Sequence, residues 1–246
     1  IDALKKNNNV RLITKHTKIL SRVVKNEDII IIGFTYCNWG DRVPLEIIND
    51  VDIPVIVILN KEYMGLRNKL DWIKRIKPKM VFTVHHDIEK YSEITNIPFY
   101  RTMWSCDTSI FKNYGKEYEY DLFFGGVIRD EQTGNFRRKI YDYLKTNNHN
   151  YNFFMNARFQ INGDIVGNKI IYDSDDYAKM MSQAKICITT TGPADLVSPR
   201  YFEIMACNSG MIICNRHSDE AIHKAIYGDM IIEDFNCVMF SDIQEF

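Results

Sequence analysis

The chain has 246 residues, 46% of them hydrophobic, with 31 basic and 32 acidic side chains and a formal charge of −1. That balance gives no electrostatic case for nucleic acid or an anionic membrane surface, and no apolar run reaches the roughly 18 residues of a membrane span. The six cysteines show neither a C-x-x-C pair nor zinc-ligand spacing, which points to a reducing, cytoplasmic setting with Cys187, Cys214 and Cys237 as buried small hydrophobes.

Residues 10–24 carry Leu12, Ile13, Ile19, Leu20, Val23 and Val24 at helical spacing and predict an opening helix. Residues 28–34 (DIIIIGF) and 53–59 predict buried strands, with Pro44 near the first turn of a short helix between them. Residues 61–76 predict a helix stopped by Pro78, residues 80–84 a third strand, and residues 88–94 a short helix. Residues 101–120 mix turn formers with charge and are expected to connect two domains. Beyond them, residues 121–124 predict a strand, Gly125-Gly126 a loop, and residues 136–144 a helix. Strands at 152–155 and 169–172 and a helix at 175–184 lead into a strand at 186–190. A loop holding Thr191, Gly192 and Pro193 then opens into a helix beginning at Ser198-Pro199. A strand at 211–214, a helix at 219–226 and a strand at 236–240 finish the chain. Fully apolar strands alternating with helices predict parallel sheets covered on both faces. The expected class is α/β, with an N-terminal domain over 1–100, a connection over 101–120 and a second domain over 121–246. The chain begins at Ile1 rather than Met and its first half is short for a doubly wound domain, so trimming at either end is expected.

The most informative stretch is residues 198–203. Ser198 suits a helix N-cap and Pro199 the first helical position. Arg200 is out of place, because a cation in the first turn opposes the helix dipole. An anion docked on the free N–H groups beside Arg200 resolves that conflict. The plainer alternative is an Arg200–Glu203 pair at i,i+3, worth ~0.2–0.5 kcal/mol, although the favoured order places the acid first. Glu203 suits a ribose diol, whose two hydroxyls both donate to one carboxylate; standing alone it reads as a solvated surface residue. Asp173-Ser174-Asp175 is a literal D-x-D, a metal–diphosphate motif in some glycosyltransferases, but capping and dipole complementation of the next helix explain it more simply. No G-x-G-x-x-G follows any strand, which disfavours a dinucleotide oxidoreductase.

SPRYFEIMACNSGMIICN resembles the signature of GT-B-fold glycosyltransferases, where a helix bearing R-x-F-E-x-x-A-C-G leads into an apolar strand. DYAKMMSQAKICITTTG before it and NCVMFSDIQEF after it resemble the flanking elements of that domain. YDLFFGGVIRDEQTGNFRRKIYDYL resembles its first strand, glycine loop and helix, and MWSCDTSIF its hinge. The similarity runs over residues 99–246 and is nearest the spore-maturation-protein type within the group 1 families. It implies two Rossmann-like domains facing a cleft. It also implies transfer of a sugar, of hexosyl type, from a nucleotide diphosphate donor to a hydroxyl of a carbohydrate or other acceptor, with UDP or GDP as the nucleotide and no metal or other cofactor. By the same resemblance Glu203 holds the donor ribose and Arg200 the diphosphate. Gly125, Gly126, Arg129, Thr191, Gly192 and Ser198 complete the donor site; Arg137 and Arg138 read as a solvated helix face. The strand end Thr83-Val84-His85-His86-Asp87 resembles the T-V-H-D of these enzymes, so His85 or His86 is expected to take the acceptor hydroxyl's proton or to hydrogen-bond the sugar. Residues 35–41 (TYCNWGD) read as an acceptor platform or as a packed loop. Two departures stand out: Leu196 occupies a position often acidic in retaining relatives, and Asn208 replaces the glycine of A-C-G. The alternatives are a nucleotide-sugar-binding protein without turnover and a metal-dependent D-x-D transferase.

Overall fold

A computed structural model describes residues 5, 8–12, 19–33, 47–59, 65–115, 117–129, 134–147, 150–161, 164–166, 174–192, 195–207 and 211–246. The chain divides into two units, Ile1–Thr102 and Met103–Phe246.

The first unit is built on four parallel strands: β1 (Ile30–Ile32), β2 (Val55–Leu59), β3 (Met80–Thr83) and β4 (Phe99–Arg101), in the order β1-β2-β3-β4. Each strand is neighbour to the next in sequence, with Ile31 opposite Ile56, Val57 opposite Val81, and Val81 opposite Phe99. Helix α1 (Leu66–Ile76) buries Leu70, Trp72, Ile73 and Ile76 on one face, against the interior made by Val57, Leu59, Val81, Tyr91 and Phe99. It ends where Lys77 turns left-handed, φ 50°, and returns its N–H to Ile73 O at 2.9 Å; Pro78 then bars continuation. Helix α2 (Ile88–Thr95) stops in the same way at Asn96, φ 56°. The middle of the predicted opening helix, residues 13–18, lies outside the described residues. Of residues 10–24, the described ones contain a single 3-10 turn at Leu20–Arg22. Leu20 is buried while Leu12 is exposed.

The second unit carries β5 (Tyr120–Arg129), β6 (Phe153–Ile161), β7 (Asp164–Val166), β8 (Ala184–Ile188), β9 (Met211–Asn215) and β10 (Val238–Phe240). The order is β10-β9-β8-β5-β6-β7, parallel except where β7 runs against β6. This is the strand order of doubly wound, Rossmann-like sheets: the chain winds outward from β5 to β7, then returns to the other side of β5. Its helices are α3 (Gly134–Thr146), α4 (Ser174–Ser182), α5 (Pro199–Cys207) and α6 (Glu220–Tyr227). Successive β5 residues serve opposite faces, as strand geometry requires. Phe123 joins Tyr177, Tyr201, Ile204 and Tyr227 in one core; Leu122 and Phe124 join Ile140, Leu144 and Phe240 in the other. Met103, Ile110, Phe111 and Tyr114 pack on the first of these cores, so this stretch of the expected connection belongs to the second unit.

Two further expectations change. Gly125 and Gly126 form no loop but lie within β5, paired with Asn156 and Ala157. A ladder is made by backbone groups, and the strongly apolar partner β6 carries it across two residues that lack side chains. Strands β4 and β7, three residues each, are additions that no periodicity announced. Among the described residues no helix is long and apolar enough to cross a membrane.

Candidate functional site

In the second unit β5 pairs with β8 only as far as Phe124 opposite Ile188, yet stays paired with β6 up to Arg129 opposite Gln160. From Gly125 onward its β8-facing edge carries no partner strand among the described residues. That opening lies at the C-terminal ends of the strands, where the winding reverses, which is where open α/β sheets take ligands.

Arg137, from α3, spans the opening. Its Nε donates to Thr190 Oγ1 at 2.5 Å, Nη2 to Thr190 O at 3.1 Å and Thr191 O at 3.4 Å, and Nη1 to Val127 O at 3.2 Å. The solvated-face reading fails for Arg137 and describes Arg138, which pairs with Asp142 at 2.9 Å in an exposed position. Gly126 makes room for Arg137: its φ is +141°, and a β-carbon there would stand 3.3 Å from Arg137 Nη1. Asn215, at the end of β9, holds the loop after β8. It accepts from Thr191 N at 2.8 Å and donates from Nδ2 to Thr191 Oγ1 at 3.1 Å. Gly192 N donates to Leu196 O at 2.7 Å, closing the turn that leads to α5.

Gly125 faces the other side. A β-carbon on it would lie 2.8 Å from Tyr177 Oη, 2.9 Å from Arg200 Nη1 and 3.1 Å from the Phe123 ring. The side chains of Tyr177 and Arg200 therefore already press on this glycine. The Arg200 guanidinium sits over the Tyr177 ring, 4.6 Å from its centroid, a cation–π arrangement. Its Nε lies 3.0 Å from Glu203 Oε2, so the plainer i,i+3 pair does form. That pair leaves polar capacity unused. Arg200 Nη1, Tyr177 Oη and Ser198 Oγ are enclosed and have no hydrogen-bond partner among the described residues. Ser198 thus does not cap α5 with its side chain, contrary to expectation. About a quarter of the Arg200 side chain still reaches solvent. Burial lowers its pKa and Glu203 opposes that shift; a guanidinium nevertheless stays charged. Cys106 donates from Sγ to Phe202 O at 3.3 Å. Burial and then the charge of Glu203 raise its pKa, making it an unreactive neighbour.

In the first unit, β3 ends at Thr83 and is followed by His85, His86 and Asp87 at the start of α2. The imidazoles stack at 4.4 Å. His85 Nδ1 accepts from Asp87 N at 3.1 Å and lies 3.2 Å from the Tyr91 hydroxyl. A neutral ring that accepts at Nδ1 carries its proton on Nε2. Burial, then the neighbouring His86, lower the pKa of His85 to about 4, against the pull of Asp87. His85 is therefore neutral near pH 7 and offers a donor at Nε2 rather than a lone pair. His86 Nε2 lies 3.5 Å from Asp87 Oδ1. Ligating atoms of the three residues fall within 4.8 Å of one another, but in this tautomer His85 has no lone pair left for a metal.

No protein-family model matches the chain, and no curated protein matches it. The functional reading rests on the residues above.

Several expected residues fall outside the described ones: residues 35–41, Asp173, Asn208 and the side chain of Arg129. Asp175 and Asp176 sit in the first turn of α4, with Asp176 3.1 Å from Lys179. Sequence reasoning missed Tyr177 and Asn215 and misassigned Arg137. Tyr177 reads as an ordinary core aromatic, and nothing local marks Asn215. A basic residue on a helix gives no hint that it reaches two strand ends.

Proposed function

We propose that the second unit binds the nucleotide diphosphate of a sugar donor and that the protein is a GT-B-like glycosyltransferase moving that sugar to an acceptor hydroxyl. The observation that carries this reading is the convergence of two enclosed, unsatisfied polar atoms, Tyr177 Oη and Arg200 Nη1, on Gly125 at the sheet's switch point, with Ser198 Oγ unsatisfied just ahead of α5. Each such neutral group costs about 1–3 kcal/mol when left unmade, and a charged group more. An anionic ligand with several acceptor oxygens offsets that cost. Arg200 and the N-terminus of α5 neutralise the diphosphate, which makes the reaction metal-independent. Glu203 accepts from the ribose hydroxyls.

A thermal-shift screen with UDP and GDP tests the first step, because a ligand selective for the folded state raises its stability. Glu203→Ala should weaken binding of the selected nucleotide by about 1–3 kcal/mol relative to that of inorganic pyrophosphate, which has no ribose. Unchanged nucleotide affinity removes Glu203 from the site. Transfer of radiolabelled sugar tests turnover, and binding without turnover across a broad acceptor panel sinks the enzyme reading. Activity abolished by EDTA and restored by manganese would defeat the metal-independent one.

A further inference from the structure

Tyr177 stands in the middle of the second unit's polar cluster, yet no motif points to it. It projects from the first turns of α4, is 91% buried by its 9% exposure, and contributes its ring to the core around Phe123. Its hydroxyl nevertheless has no hydrogen-bond partner among the described residues. Buried tyrosines ordinarily satisfy that group. Tyr201 and Tyr227, in the same core, do so: their hydroxyls lie 3.4 Å apart, and Tyr227 donates to Asn215 O. Tyr177 is thus the exception within one cluster. Its Oη and Arg200 Nη1 both come within 3 Å of the place a β-carbon on residue 125 would occupy. They converge over a bare Cα, where the β8-facing edge of β5 is open. A neutral hydroxyl donor and a guanidinium donor aimed at one point are suited to an anionic oxygen, which accepts from both.

We propose that Tyr177 is a ligand-binding residue: its hydroxyl and Arg200 Nη1 together hold a phosphoryl oxygen of the bound nucleotide. This rests on the reading of the second unit as a diphosphate site and adds a residue to it. The ring and the hydroxyl do different work. The ring positions the guanidinium by the cation–π contact. The hydroxyl touches ligand. Gly125 is required because any side chain there drives the two donors apart.

Tyr177→Phe separates these roles, since it keeps the ring and removes only an oxygen unsatisfied in the free protein. Calorimetric titration of wild type and variant with inorganic pyrophosphate, UDP and GDP is the test, alongside the melting temperature of each ligand-free protein. The expected result is about tenfold weaker binding of pyrophosphate and of the preferred nucleotide by Tyr177→Phe. Its ligand-free melting temperature should equal or exceed that of wild type, because a buried unpaired hydroxyl has been deleted. Wild-type affinity in a variant that melts normally overturns the Tyr177 assignment and leaves the diphosphate reading standing. Failure of wild type to bind pyrophosphate, UDP and GDP overturns both. A lowered ligand-free melting temperature places the hydroxyl in a structural hydrogen bond and also overturns the assignment. Tyr177→Leu, which loses ring and hydroxyl together, should bind more weakly than Tyr177→Phe; equal affinities would deny the ring its positioning role.

Discussion

The two units solve the same problem, a parallel sheet with helices to cover it, and differ in how the chain winds. In the first, each strand lies beside its successor, so among the described strands the winding never reverses. In the second it reverses between β5 and β8, and β5 outruns β8 by several residues. At the end of β3 in the first unit, His85 Nδ1 has both the Asp87 N–H and the Tyr91 hydroxyl beside it. In the second unit the unsatisfied atoms gather at the strand ends. A reversal opens a crevice that backbone pairing cannot fill, and side chains from α3, α4 and α5 line it.

The largest test of that contrast is Arg137→Ala. It removes charge-assisted bonds to Thr190, Thr191 and Val127, and chemical denaturation should show a loss of about 2–4 kcal/mol. Arg138→Ala, one residue away but exposed, should change stability by less than about 0.5 kcal/mol. Equal effects would mean that Arg137 does not hold the crevice.

The two glycines offer a finer comparison. Gly126→Ala places a side chain at φ +141° and close to Arg137, for a cost of about 1–3 kcal/mol. Gly125→Ala should cost about 1 kcal/mol, the low end for overpacking, because two of the three atoms it meets are the ends of long side chains. It should nevertheless reduce anion binding more than Gly126→Ala does. The reverse order in a pyrophosphate titration would break the division of labour between the two faces of β5.

The smallest effect belongs to the first unit. Unfolded His85 takes up a proton as the pH falls past its ordinary 6.5, whereas the folded residue stays neutral down to about 4. The folded state therefore keeps its full stability above about pH 6.5 and loses part of it as the pH falls through that window. The loss is on the order of 1 kcal/mol, less than the full shift converts to, because solvent reaches part of the site. His85→Gln should flatten the fall in melting temperature between these pH values; an unaltered slope would show that His85 is protonated in the fold.

Much of this architecture is legible in the chain. The strands at Val55–Leu59, Met80–Thr83 and Met211–Asn215 and the helices over Leu66–Ile76 and Pro199–Cys207 lie close to where apolar periodicity, Pro78 and Ser198-Pro199 put them. Arg200 stands out in the sequence because a cation in a first helical turn needs a reason. What escaped was long-range. Tyr177 is 52 residues from Gly125 in the chain and Arg137 is 53 from Thr190, and no local pattern encodes either meeting.

By itself, then, the sequence determined most element types, the α/β class and the anomaly at Arg200, because these depend on hydrophobic period, backbone stereochemistry and charge within a few residues. Only the tertiary structure decided that Gly125 and Gly126 continue a strand, that Ser198 leaves its hydroxyl unspent, and that Arg137 bridges two strand ends. It also brought Tyr177 to Arg200. Those outcomes depend on which strands lie side by side and where one stops short of its neighbour, a property of the assembled sheet that no single segment carries.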